Sequence, residues 1–440
     1  MQLSGENICA YIIEGLVYSL LIFAPFAFGS VEISSVTFLE SLSFVILFVW
    51  LLKSLFCEEL CIVKASFWLP VILFICLVIF QLVSLPKHLL GALSPKHLYI
   101  YSNFVPSEVI SRVQYCITAY RNATVLKLLE LLSYISVFFV LVNNLESKKQ
   151  IKRLVIFIVS LGFLVAIIGI ARNFAYPFIN RNHYAGYLEM VLFLGIGLLL
   201  TDMDRQKRIV FSFMAIIMTL GIFLSLSRAG FFSFLIALAT MFYLLQLRKT
   251  IQKRSILVFS LFIFALMFLF FAGAGPFWER MLSMARSESI TAETRWFIWK
   301  DTLKIISDFP VFGSGLGTFH NIYPMYKTIA SQAVFSQAHS DVLQLVSETG
   351  FLGVGIAFLF LCLFFKDIFP AWFSRHHPFF KGIALGGICS IISILAHSFF
   401  DFNLQIPANA LLFTIVMAVT YKCVFLKDRT NEINQANSNI

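Results

Sequence analysis

Hydrophobic residues in this chain fall in long unbroken runs, separated by short clusters of polar and charged positions. A helix rising ~1.5 Å per residue needs ~20 mostly apolar residues to cross a hydrocarbon core ~30 Å thick. On that rule the pattern predicts twelve spans, at about 11–29, 36–56, 66–85, 124–143, 154–171, 184–201, 209–226, 229–247, 255–275, 350–369, 382–400 and 405–422. The strands of a transmembrane barrel would alternate apolar and polar positions, and these runs do not. The expected fold is an all-α polytopic membrane protein of about twelve transmembrane helices with a large extracytoplasmic loop that contains helices. Residues 1–275 would hold transmembrane helices 1–9 and residues 276–349 the extracytoplasmic helical loop. Residues 350–422 would then hold helices 10–12, and 423–440 a cytoplasmic tail.

Composition excludes the soluble alternatives. Of 440 residues, 59% are hydrophobic and 13% charged, with 51 phenylalanines, whereas soluble domains carry about 25% charged residues. Lysine and arginine fix the orientation. With the amino terminus inside, the cytoplasmic segments hold nineteen of them and the shorter outer loops seven, which places both termini in the cytoplasm. The net charge of +10 is then a bias toward anionic membrane lipid and needs no nucleic-acid partner. No cleavable signal peptide is expected, because residues 1–7 lack a positive region and the first apolar run is long enough to span. The eight cysteines imply no disulfide framework, and Cys57-Glu58-Glu59-Leu60-Cys61 lacks the partners of a metal clip. No internal repeat at a fixed period is visible.

Polar residues gather on the outer side, in segments 86–123, 172–183 and 276–349. Within the last, Ala292–Ser307 reads as an amphipathic helix with Trp296, Trp299, Leu303 and Ile306 on one stripe and Arg295, Lys300 and Asp301 elsewhere. Gly313-Ser314-Gly315-Leu316-Gly317 reads as a flexible turn; it has the look of a phosphate cradle but lacks the Lys-Ser/Thr and the preceding strand. Inside or beside spans lie Glu14, Glu40, Glu130, Glu189, Arg228, His397 and Asp401, which must face protein or water. For Glu14, Glu40 and Glu130 an interhelical hydrogen bond suffices. Arg228, between two spans at their outer ends, either snorkels or presents a permanent cation to the outer headgroup region. His339, in a wet loop just before a span, is a candidate general base, since imidazole titrates near neutral pH. No paired acids of glycosidase type and no carboxylate cluster suited to a metal are apparent.

Five ordered stretches then carry a family likeness: Asn180-Arg181-Asn182-His183-Tyr184-Ala185-Gly186-Tyr187; Leu226-Ser227-Arg228-Ala229-Gly230; Arg295-Trp296 with Pro310 and the glycine-rich turn to Phe319; His339-Ser340 with Gly350 and Gly353; and His397-Ser398-Phe399-Phe400-Asp401-Phe402-Asn403. Gln81 to Pro86 with Ser94-Pro95 is a weaker sixth. The set resembles the O-antigen ligase and polymerase superfamily of bacterial inner-membrane glycan enzymes. The resemblance implies a GT-C-like, metal-independent glycosyltransferase without cofactor, active on the periplasmic side of the inner membrane. It would move a glycan from a polyprenyl diphosphate carrier to a hydroxyl on a lipid, glycan or protein acceptor. Arg228 and Arg295 would hold the diphosphate, His339 would act on the acceptor, and Arg181 and His183 are further substrate-binding candidates. Ala229 stands where the family often has glycine. A polymerase and a protein O-oligosaccharyltransferase remain open within the superfamily, and outside it a small-anion (bicarbonate) transporter, whose charged site should lie near the midplane between repeats.

Overall fold

The computed structural model describes residues 5–56, 62–104, 114–172, 174–247, 292–330 and 333–426. Among them are fifteen α-helices and no strand. In chain order these are α1 (Gly5–Phe26), α2 (Ile33–Ser54), α3 (Trp68–Leu82), α4 (Lys87–Leu93), α5 (Pro95–Phe104), α6 (Arg121–Asn144), α7 (Lys148–Ala171), α8 (Arg181–Leu199), α9 (Arg205–Leu224), α10 (Arg228–Gln246), α11 (Ala292–Asp308), α12 (Phe319–Ile322), α13 (Asp341–Ser374), α14 (Pro378–His397) and α15 (Pro407–Phe425). Nine are long and apolar enough to cross a membrane, and α3 is a shorter apolar helix. With α8, eleven of the twelve predicted segments are helices; the twelfth, 255–275, lies outside the described residues. The chain is an all-α polytopic membrane protein.

The centre of the bundle is α8, whose residues from Asn182 to Leu199 are all buried, packed along α14, with α15 beside them. Small residues allow that contact. A methyl group on Gly197 would meet the Gly382 carbonyl at 2.6 Å, and one on Gly386 would meet the Phe193 carbonyl at 2.6 Å. In lipid, where hydrocarbon burial does not drive association, such close backbone approach and interhelical hydrogen bonds hold helices together. Ser390 adds one by donating to the Met190 carbonyl at 2.6 Å. Large side chains such as Ile33, Phe48, Ile72 and Phe358 point outward, as lipid-facing positions should.

The ionisable residues within spans are mostly paired. Glu14 of α1 accepts from Arg153 of α7 and from Tyr18. Glu130 differs from the expectation, since its partners Lys127 and Tyr134 are on its own helix, one turn to either side. The Glu40 carboxylate forms no hydrogen bond among the described residues.

The helix α13 starts earlier than hydropathy suggests, at Asp341, and is broken at Gly350, where φ is 66°. The predicted onset at 350 is this break. Polar Asp341, Gln344, Ser347 and Glu348 form the buried face of the first segment, which an apolar count does not register. The Val311 carbonyl lies against Gly350 where a Cβ would be. Gly350→Ala is therefore expected to destabilise the protein by about 2 kcal/mol or more through left-handed strain and that clash. Gly355→Ala, with nothing within 4 Å, should be neutral or stabilising; thermal unfolding in detergent separates the two.

A second, smaller core joins α11 to α12 and the segment before α13, through Ile298, Ile305, Phe309, Phe319, Tyr323 and Phe335. The stripe expected on α11 packs only in part, with Ile306 buried and Trp299 half-buried. Trp296 and Leu303 are 64% and 57% exposed, while Ile298, Asp301, Thr302 and Ile305 are buried. The Asp301 carboxylate accepts from the Thr328 amide at 2.8 Å and the Thr328 hydroxyl at 2.9 Å.

Candidate functional site

The N-termini of α8, α10, α13 and α15 and the C-terminus of α14 meet at one end of the bundle, with α11 over it. Asp401, fully buried in the turn between α14 and α15, is the hub. Its Oδ2 accepts from Asn182 Nδ2 at 2.6 Å and from Arg295 Nη2 at 3.3 Å, and its Oδ1 accepts from the Phe402 amide at 2.9 Å and lies 3.8 Å from His183 Nε2. A second Arg295 nitrogen, Nη1, donates to the Phe400 carbonyl at 3.1 Å. Burial would raise the carboxyl's pKa, but His183 and the Arg295 guanidinium outweigh it and hold Asp401 well below the usual carboxylate range.

His339 joins the same cluster. Its ring and that of His183 both stand at a steep angle to Phe402, with centroids 4.8 and 4.6 Å away. Its backbone is left-handed, with φ 53°, a conformation rare outside glycine and frequent at functional sites. Three contacts hold it there. Trp299 Nε1 donates to the His339 carbonyl at 3.3 Å, Ser340 Oγ caps α13 by accepting from the Leu343 amide, and the Asp341 amide donates to the carbonyls of Ser398 and Asp401. Burial lowers the imidazole pKa to about 4; Asp401 opposes the shift, and Arg295 and His183 add to it. Nδ1 of His339 and Nε2 of His183 are buried without a hydrogen-bond partner among the described residues.

Arg228 is the first residue of α10, after the tight connection Ser225-Leu226-Ser227, in which Leu226 has φ 54° and Ser227 Oγ accepts from the Gly230 amide at 3.1 Å. Its side chain is exposed and makes no hydrogen bond or ion pair among the described residues. No hydrogen bond or ion pair joins it to Arg295 or His339. Its helix is nevertheless seated on their network, for Gly230 abuts Ala185 and Glu189 Oε1, and Glu189 accepts from Ser393 at 2.8 Å and meets His397 Nδ1 at 3.1 Å. Arg181 opens α8 directly before Asn182 and His183.

The glycine-rich turn is not a phosphate site, nor is it loose. Its amides are already engaged: Gly315 donates to the Glu348 carbonyl, Gly317 to Glu348 Oε2 and Leu316 to Gln81 Oε1. Gln81 also donates to the carbonyls of Phe312 and Glu348. This weak sixth motif is thus a clamp that fixes the loop to α13.

Residues 213–359, a stretch that carries Arg228, Arg295 and His339, match the O-antigen ligase family model, Wzy_C. The likeness is to the O-antigen ligases. It covers 147 of the 440 residues and bears out the resemblance drawn from the motifs within it. The stretches at 180–187 and 397–403 lie outside the O-antigen ligase match but pack directly against it. No curated protein matches the chain. Asn182 and Asp341 had no site role in the sequence reading. Both belong to stretches or neighbours of motifs, and only the hydrogen bonds to Asp401 and its turn single them out.

Proposed function

We propose that the protein is a glycosyltransferase of O-antigen ligase type, moving a glycan from a polyprenyl diphosphate to an acceptor hydroxyl at the outer face of the inner membrane. The supporting observation is that four stretches far apart in sequence meet around Asp401, with the Arg228 stretch joined to them through Glu189. The acceptor oxygen attacks the anomeric carbon, the carbon–oxygen bond to the diphosphate breaks, and the lipid diphosphate leaves with the electron pair. His339 takes the hydroxyl proton, and Arg228 and Arg295 neutralise the charge that develops on phosphate oxygens. Two of the five N–H donors of Arg295 are engaged among the described residues, which orients the fork and leaves donors for an anion. No metal is needed for these steps, and transfer should persist in excess chelator.

A lipid-linked substrate also needs a place for hydrocarbon. An apolar cavity of about 320 Å³ runs between α3, α6, α13 and α15, from Trp68 to Leu316 and Leu404. Leu404 in turn donates its amide to Asp341 at 3.0 Å, so the cavity reaches the polar cluster. The deciding experiment incubates purified protein with a lipid diphosphate-linked oligosaccharide and three acceptors: a lipid-anchored core glycan, a second lipid-linked repeat unit, and a Ser/Thr-containing protein. Which product forms separates ligase, polymerase and protein-modifying activity. If none forms, and free polyprenyl diphosphate does not accumulate, the proposal fails.

His339→Ala is expected to lower transfer at least ~10²-fold, the usual contribution of a general base. The pH dependence has a definite sign. The imidazole is competent when neutral, so kcat/KM should fall as pH drops through about 4, not near the ~6.5 of an unperturbed histidine. A diphosphate bound beside it favours the charged form, so the acid limb of kcat should lie at higher pH than that of kcat/KM.

A further inference from the structure

Asp341 follows His339 by two residues, is buried, and takes no part in the chemistry proposed above. Its backbone amide donates to the carbonyls of Ser398 at 2.9 Å and Asp401 at 3.0 Å, and its Oδ2 accepts from the Leu404 amide at 3.0 Å. One residue thus holds the beginning, the middle and the end of the loop 398–404. Ser340 beside it donates from Oγ to the same Ser398 carbonyl at 3.5 Å. That loop carries the groups on which the site depends. Phe400 and Asp401 supply the acceptors that orient Arg295, and Phe402 is the ring against which His339 and His183 stand.

The side-chain bond has a local cause. Leu404 lies in the 3₁₀ turn Asn403–Gln405 that leads into α15, and amides at the opening of a helical turn lack a partner within it. A carboxylate supplies that partner in charge-assisted form. The two backbone bonds of Asp341 would survive a change of side chain, whereas the bond to Leu404 belongs to the carboxylate alone. Leu404 also lines the apolar cavity, as does Leu345, one turn along α13 from Asp341. Asp341 therefore ties a wall of the hydrocarbon cavity to the loop that orients Arg295.

We propose that Asp341 is a positioning residue for glycan transfer, its carboxylate anchoring the far end of the loop so that Arg295 and His339 stay aimed at one point. The inference rests on the transfer reading above. Three variants of the full chain test it. Asp341→Ala removes the acceptor, Asp341→Leu removes it while filling the volume, and Asp341→Asn keeps an acceptor oxygen without the charge. The alanine variant should lose ~10²-fold in kcat per folded molecule, the scale of a misplacement of about 1 Å, with KM for the lipid-linked donor little changed. The asparagine variant should recover at least ~10-fold of that loss, because a neutral acceptor preserves the bond. The leucine variant should match alanine and serves if alanine does not fold. Hydrogen exchange of the peptide containing Leu404, measured without substrate, should quicken in the alanine and leucine variants and stay near wild type in asparagine. A merely structural role would lower the folded yield and leave kcat per folded molecule intact. Wild-type kcat in the alanine and leucine variants, an asparagine variant as slow as alanine, or unaltered exchange at Leu404 would each overturn the proposal. If the wild-type protein transfers no glycan, the functional reading has failed instead, and the exchange measurement, which needs no substrate, tells the two failures apart.

Discussion

Arg295→Ala is expected to abolish glycan transfer, lowering the rate by ~10³-fold while the protein still accumulates in the membrane at its normal level. The guanidinium bridges the Asp401 carboxylate and the Phe400 carbonyl, which fixes its plane relative to His339. Removing it takes away what the proposed mechanism uses as a phosphate donor and leaves Asp401 without its guanidinium. Asp401 keeps Asn182, the Phe402 amide and His183, so the turn should survive and the loss should appear in rate rather than in abundance. Arg295→Lys should recover little, because a single ammonium cannot span both acceptors and still face a phosphate. Product formation in membranes, normalised to the amount of protein, is the measurement. Near-native transfer in the alanine variant would remove Arg295 from the mechanism.

The second large effect is expected at Arg228. Its guanidinium is exposed and unpaired among the described residues, and it opens a helix whose positive dipole end repels a cation. Among the described residues nothing repays that position, whereas a bound diphosphate would be attracted by both the side chain and the helix end. Arg228→Ala should therefore leave thermal stability unchanged and lower transfer ~10²–10³-fold. Arg228→Lys should fail nearly as badly, since the planar fork matches phosphate oxygens and a point charge does not. If the side chain only snorkels, all three proteins will transfer at similar rates.

Long apolar runs made most of the fold readable. Where the reading missed, a polar side chain had overridden the hydrophobic pattern. On α11 the carboxylate of Asp301 is buried against Thr328, while Trp296 and Leu303 face outward and Ile306 alone of their stripe is fully buried. The first turns of α13 bury Gln344 and Glu348, because those groups bind the glycine-rich loop. Of the site, Arg295 and His183 follow from the family likeness and His339 from its residue type as well, and the three come together around Asp401. Asp401, which joins them, was visible only as a charge near the end of a span. Nothing local in the sequence distinguishes a carboxylate that organises four segments from one satisfied by a neighbouring helix. That distinction resides in contacts such as Asn182 to Asp401, which bridge more than two hundred positions.

The glycine contacts between α8 and α14 carry a mechanical consequence. With Gly197, Gly382 and Gly386 so near that one carbon would collide with opposing backbone, these two rods are packed backbone to backbone, which favours their acting as one body. Asn182 and the Asp401 turn therefore behave as a stationary jaw. If the protein transfers glycans as proposed, room for the incoming chain would have to come from the opposing piece, α11 with its separate core.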